Sequence, residues 1–223
     1  MTTPPSPIPA APSPTPAWAR RGLAELCRTD TDFARIRRAA GPLPWRVRDP
    51  GFAGLLRAIC GQMISNQAAS AIWGRLAALP GALEPAGLLT LNEEQLRGAG
   101  LSRPKVGHVR ALAEACLDGR LDFPAIAALP NEEAVRVIAA IPGLGPWTAE
   151  VFLLFGQQRP DVFPSGDIAL AAGLAHLKGL EARPSPKALA ELSLAWKPWR
   201  SLAARLLWHH WRHVTGRPAG EAA

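Results

Sequence analysis

The stretch Ile141-Pro-Gly-Leu-Gly-Pro-Trp-Thr-Ala149 limits what this chain can fold into more than any other. Pro142, Gly143 and Gly145 cannot continue a helix comfortably, yet apolar residues at helical spacing lie on both sides. The segment therefore reads as two helices joined by a tight turn. Its glycines let the backbone approach a partner closely, and the first amides of the second helix, near Trp147 and Thr148, suit an anion such as a phosphate. One helix length later comes Phe163-Pro-Ser-Gly-Asp-Ile168. There Asp167 sits in a Pro/Gly loop directly before Ile168-Ala-Leu-Ala-Ala172, where it can cap a third helix. A carboxylate so placed faces whatever the hairpin holds.

The rest of the chain reads as one helix after another. Leu23, Leu26, Phe33 and Ile36 mark one or two helices between Trp18 and Ala40. Phe52, Leu55, Leu56 and Ile59 mark another that stops at Gly61, and Ser65 caps the next, with Ala68, Ala69, Ile72 and Leu76 as its buried stripe. Between those two, Gly61-Gln-Met-Ile64 puts a polar and then an apolar long side chain at an exposed loop tip. Residues 81–89 read as a connection. Asn92-Glu-Glu-Gln95 has the form of a capping box, Ser102-Arg-Pro-Lys105 opens a helix with Pro104 in its first turn, and Asn131 caps a helix over 134–140. Helices over 187–195 and 199–214 follow. β-Branched residues do not alternate and Tyr is absent, so strands are not expected. The expected fold is all-α, with nine or ten helices in two interleaved lobes over residues 18–217 and a site in the cleft between them. Residues 1–17, with Pro4, Pro5, Pro7, Pro9, Pro12, Pro14 and Pro16, read as a disordered tail, and 218–223 as a flexible one.

Charge points to the partner. A formal +7 and an isoelectric point near 10.3 favour a polyanion. Cys27, Cys60 and Cys116 lie far apart in apolar helical contexts, so they read as neither disulfides nor metal ligands, and a reducing cytoplasm fits. No apolar run long enough to span a membrane is present, and no signal peptide is read at the start. His209, His210 and His213 lie close in sequence, but only His209 and His213 share a helical face and no acid or Cys partner follows, so a metal site is not expected. Asp161, beside Pro160, reads as a turn residue.

Pro142-Gly-Leu-Gly-Pro-Trp-Thr-Ala149 followed by Asp167 resembles the helix-hairpin-helix, Gly/Pro-rich loop and aspartate signature of the base-excision DNA glycosylases. Within that superfamily the chain is similar to the DNA-3-methyladenine glycosylase II group. Phe52…Ile59-Cys-Gly-Gln-Met-Ile-Ser65, Gly100-Leu-Ser-Arg-Pro-Lys105 and Trp196-Lys-Pro-Trp-Arg-Ser-Leu-Ala203 with Leu207-Trp208 agree, and the resemblance covers about residues 30–212. It implies a monomer that flips alkylated purines of the 3-methyladenine and 7-methylguanine type out of duplex DNA and hydrolyses their N-glycosidic bond. No cofactor is required, and the setting is a bacterial-type cytoplasm, at the nucleoid.

The resemblance also assigns roles. Asp167 is the catalytic carboxylate, stabilising positive charge on the sugar or orienting water. Gly143, Leu144, Gly145, Trp147 and Thr148 grip a DNA phosphate, and carbonyls of Ile141 and Gly143 are expected to hold a Na or K ion. Met63 is the wedge entering the base stack, flanked by Gln62, which hydrogen-bonds a base edge or the orphaned partner base. Trp147, Trp199 and Trp45 are the pocket candidates, because aromatic faces attract a cationic base, whereas Trp73 and Trp208 read as core. Ser65, Lys105 and Arg200 are further DNA contacts. Lyase relatives carry a Schiff-base lysine where this chain has Trp147, so β-lyase chemistry is not expected. Two other readings stay open: a non-catalytic module that recognises DNA structure, and a glycosylase for hypoxanthine, uracil or an oxidised purine.

Overall fold

Apolar residues recur at helical spacing through most of the chain, and each such stretch folds as a helix. The protein, a computed structural model, is described over residues 13–216; most of the expected tail at 1–17 and all of that at 218–223 lie outside the described residues. The order is α1 (Ala17–Thr29), α2 (Thr31–Ala40), α3 (Phe52–Gly61), α4 (Asn66–Ala77), α5 (Pro85–Thr90), α6 (Glu93–Gly98) and α7 (Arg103–Leu117). Then follow α8 (Phe123–Ala128), α9 (Asn131–Ala139), α10 (Pro146–Phe155), α11 (Ile168–Lys178), α12 (Pro186–Ser193), a 3-10 turn (Leu194–Trp196) and α13 (Arg200–Val214). No strand occurs among the described residues.

Among the described residues there are thirteen α-helices, more than the nine or ten expected. Two of the extra ones, α5 and α8, have six residues each, too few turns for an apolar period to show in sequence. The capping box at Asn92 and Gln95 and the Ser65 cap of α4 form as read. Asn131 does not cap from outside: α9 begins at Asn131 after Pro130, and the Asn131 amide donates to the Asp161 carbonyl at 2.9 Å. The α4 stripe is also narrower than expected. Leu76 is buried and Ile72 half-buried, while Ala68 is exposed.

Two cores form. One gathers Leu55, Leu56 and Ile59 of α3 with Val109 and Leu112 of α7 and Ile138 of α9; the other gathers Leu26, Phe33 and Ile36 with Leu170, Leu174, Leu202 and Leu206. Helix α10 belongs to both. Ala149, Phe152 and Leu153 enter the first core, and Val151, Leu154 and Phe155 the second. A helix buried all round must be apolar all round, as Val151-Phe-Leu-Leu-Phe155 is. The start of α10 therefore lies where the cores meet. Across the second core, α11 packs closely on α13: a Cβ on Gly173 would lie 2.9 Å from the Leu207 carbonyl. With the two helices this close, Trp208 reaches Asp167 at the start of α11.

Candidate functional site

The hairpin forms as the sequence requires. Gly143 turns the chain at φ +83°, and the Leu144 amide closes the turn by donating to the Ile141 carbonyl at 3.0 Å. Gly143 also packs on the imidazole of His108: a Cβ there would sit 2.0 Å from its Cγ. Only glycine meets both demands. Gly145 begins α10 with no side-chain cap, and Pro146 has no amide, so the Trp147 and Thr148 N–H groups find no partner within their own helix. Leu144 contributes backbone alone, since its side chain lies in the core.

Asp167 caps α11 and is held by three N–H donors. Its Oδ1 accepts from the Leu170 amide at 2.8 Å and from Trp208 Nε1 at 3.1 Å, and its Oδ2 accepts from Trp147 Nε1 at 2.9 Å. Both oxygens are thus fixed in direction by an indole, one from the hairpin and one from the last helix. Neighbouring N–H donors suit a charged carboxylate and leave it free to act on positive charge. Trp208 is half-buried and stacks on Phe155, ring centroids 5.6 Å apart. Its ring packs against the second core, as the sequence suggests, while its N–H serves Asp167. The signal was present in the Trp-rich C-terminal segment, but an indole that packs with its body and donates with its edge reads as core from sequence.

The other pocket candidates fall elsewhere. Trp45 is 2% exposed, donates to Gln158 Oε1 at 3.2 Å and lies under the Arg205 guanidinium at 4.2 Å, so it is a core residue and lines no cleft. Trp199 stacks on Trp18 and donates to Glu25 at 2.9 Å. It is the N-cap residue of α13, nine residues before Trp208 and about 13 Å from it along the axis at helical rise. Beside Trp208, Leu43, Pro44, Phe155, Arg46, Arg205 and Arg212 line a small concavity. Burial and the neighbouring Arg48 and Arg46 pull Arg205 down to about 9, which leaves the concavity positively charged at neutral pH.

Three expected DNA contacts are spent inside the protein. Lys105 is buried, and its Nζ donates to the carbonyls of Cys60 and Gln62, both at 2.8 Å. Gln62 does not offer its amide to a base: Nε2 donates to the Gly143 carbonyl at 2.8 Å and to Thr148 Oγ1 at 2.9 Å. Arg200 pairs with both carboxylate oxygens of Asp161, at 2.8 and 2.9 Å. Ser65 stays exposed at the start of α4, its hydroxyl accepting from the Ala68 amide at 3.3 Å. Met63 is fully exposed, at 101%, and takes the left-handed φ of +58° at the α3–α4 loop tip.

The remaining titratable groups divide by location. Glu150, one turn beyond Trp147 on α10, is pushed up to about 7 by burial, with Arg200 opposing. His210 faces His176 at 3.0 Å and His209 faces the Gly41 carbonyl at 3.3 Å. The Cys60 thiol is driven up to about 12 by burial. Among the described residues no group of three or more His, Cys, Asp or Glu could hold a metal ion, and no helix is long and apolar enough to cross a membrane.

Known proteins share this fold. The model of the HhH-GPD superfamily of base excision DNA repair proteins matches residues 56–200. The chain is similar to DNA-3-methyladenine glycosylase 1 of Schizosaccharomyces pombe, 30% identical over 158 residues that make up 69% of each protein. It is 34% identical over 203 residues to the probable bifunctional transcriptional activator/DNA repair enzyme AlkA of Mycobacterium tuberculosis, a match over 86% of this chain and 40% of that one. A solved structure of the Schizosaccharomyces pombe 3-methyladenine DNA glycosylase in complex with abasic DNA superposes with a TM-score of 0.79 and 26% identity. That match covers 91% of this chain and 100% of the other.

Proposed function

The chain belongs to the HhH-GPD superfamily of base excision DNA repair proteins, and on that premise we propose that it is a monofunctional DNA glycosylase excising alkylated purines from duplex DNA. The observation that carries the reading is Asp167, held by Trp147 of the hairpin and Trp208 of α13. As the base departs, positive charge builds on the sugar, and a fixed carboxylate stabilises it or directs water to the anomeric carbon. An alkylated purine is already a good leaving group, so no second acid is needed beside Asp167. Trp147 stands where lyase relatives carry lysine, and an indole forms no imine.

Binding follows from the same parts. The amides of Trp147 and Thr148 and the Gly143 turn receive a phosphate, and Met63 fills the gap that the flipped base leaves. The concavity beside Trp208 has room for about one water, so it would have to open to receive the base. A sodium or potassium ion fits the hairpin: the Ile141 and Gly143 carbonyls each accept one internal hydrogen bond and each keeps a second lone pair. Such an ion would supply positive charge toward the phosphate. The protein would work as a monomer in the cytoplasm, at nucleoid DNA.

One observation favours a second reading. Arginines wall the concavity, and their charge opposes a cationic base but not a neutral one such as hypoxanthine. The test is an excision panel over methylated, deaminated and oxidised duplexes. Release of 3-methyladenine and 7-methylguanine supports the first reading, and release of hypoxanthine alone supports the second. No release from any duplex, with abasic DNA still bound, assigns a non-catalytic module.

A further inference from the structure

We propose that Lys105 and Gln62 are positioning residues that lock the Met63 loop to the hairpin, so that phosphate grip and wedge act as one body. The proposal rests on the glycosylase reading in that Met63 enters the duplex.

Lys105 lies in the first turn of α7, where its charge gains nothing from its own helix dipole. Its ammonium instead closes the end of α3, donating to Cys60, a last-turn carbonyl that the helix leaves without a partner, and to Gln62, the residue after the helix. Burial of Lys105 makes that contact a fixed strut rather than a surface pairing. Gln62 is then gripped twice. Its backbone carbonyl is held by Lys105, and its side chain crosses to Gly143 and Thr148 in the hairpin, 81 and 86 residues away in sequence.

Met63 follows immediately, at φ +58°, a backbone that an unbranched L-residue adopts only when its surroundings impose it. Beyond the loop, Arg75 in the last turn of α4 donates to the Ala99 carbonyl at 2.9 Å, which braces the far end of that helix just ahead of α7. The start of the wedge loop is therefore tied twice, to α7 through Lys105 and to the hairpin through the Gln62 side chain. A phosphate seated on the Gly143 turn fixes where Met63 stands, so the side chain need not be ordered again during flipping.

The test uses the full chain with Lys105→Met and Gln62→Met, each alone and combined with Met63→Ala. Each is read by affinity for a duplex carrying a tetrahydrofuran abasic analogue, by fluorescence of 2-aminopurine beside that site, and by the ratio of duplex to single-strand excision. Each single variant should lose on the order of tenfold in abasic-site affinity and in the excision ratio, with a smaller 2-aminopurine rise. On the Met63→Ala background the same changes should cost less than about twofold, since residues acting through one side chain are not additive. Fully additive losses, or an unchanged ratio in a folded variant, overturn the proposal. If Lys105→Met does not fold, Gln62→Met carries the test, because that side chain is partly exposed. A wild-type chain that excises nothing while the binding cycle holds removes the glycosylase reading and leaves the coupling intact.

Discussion

Trp208→Phe removes one indole N–H and keeps most of the ring that stacks on Phe155 at 5.6 Å. A hydrogen bond to a charged group contributes about 1.5–3 kcal/mol, which as a rate effect spans roughly 10- to 150-fold. Two features place Trp208 at the low end. Its bond is the longer of the two indole contacts, 3.1 against 2.9 Å, and Oδ1 keeps the Leu170 amide at 2.8 Å. Among the described residues Oδ2 receives Trp147 alone, so Trp147→Phe should cost more. The expected losses are about tenfold for Trp208→Phe and close to 100-fold for Trp147→Phe. An opposing effect exists: a carboxylate with one donor fewer meets a cationic sugar more strongly. Preorganisation should win, because a carboxylate that must be re-aimed loses its advantage at the moment charge develops. Single-turnover excision with enzyme in excess measures the chemical step without binding. The smaller ring should also lower stability by about 1–2 kcal/mol, a fall of roughly 2–8 °C in Tm for a chain of this size. Excision as fast as wild type in either folded variant refutes the view that the indoles aim Asp167.

Further outcomes concern the hairpin, burial and charge. Gly143→Ala forces a Cβ to 2.0 Å from His108 Cγ at φ +83°, so the turn must move, and affinity for undamaged duplex should fall at least about tenfold by fluorescence anisotropy. Unchanged affinity would detach the turn from DNA binding. Burial raises Glu150 from 4.5 to about 7, so its stabilising proton is fully held below about pH 4.5 and is lost as pH rises through 7. The difference, 7 − 4.5 = 2.5, corresponds to at most about 3–4 kcal/mol. Glu150→Gln should therefore flatten the fall in Tm between pH 5 and 8 and raise Tm at pH 8; parallel curves for the two proteins would refute it. Affinity for duplex should drop steeply and log-linearly with salt, in line with phosphate contacts and the +7 charge, and a flat salt profile would contradict the electrostatic account.

What the sequence made legible followed from local rules. Gly143 and Pro146 dictate a turn and a helix start from their own backbone chemistry, and Asp167 before an apolar helical run dictates a cap. Met63 was legible as an exposed loop tip for the same reason. The long side chains were not. Lys105, Gln62 and Arg200 are polar groups that sequence places at a surface, yet each finds carbonyls or a carboxylate more than 35 residues away. Whether a lysine reaches a phosphate or a helix end is decided by which helix packs beside it, and no local pattern carries that. The tryptophans divide on the same ground: nothing in the sequence says that Trp208 points its N–H at Asp167 while Trp45 points its own at Gln158.

Asp167→Asn tests the central claim most directly. The amide keeps the size of the side chain and the cap on α11 while removing the charge. Wild-type protein should release the alkylated base from a methylated duplex under single-turnover conditions. The variant should lose at least about a thousandfold, as expected when the main electrostatic contributor is removed, and should bind the abasic-analogue duplex as well as before. Excision by Asp167→Asn at the wild-type rate would contradict the account.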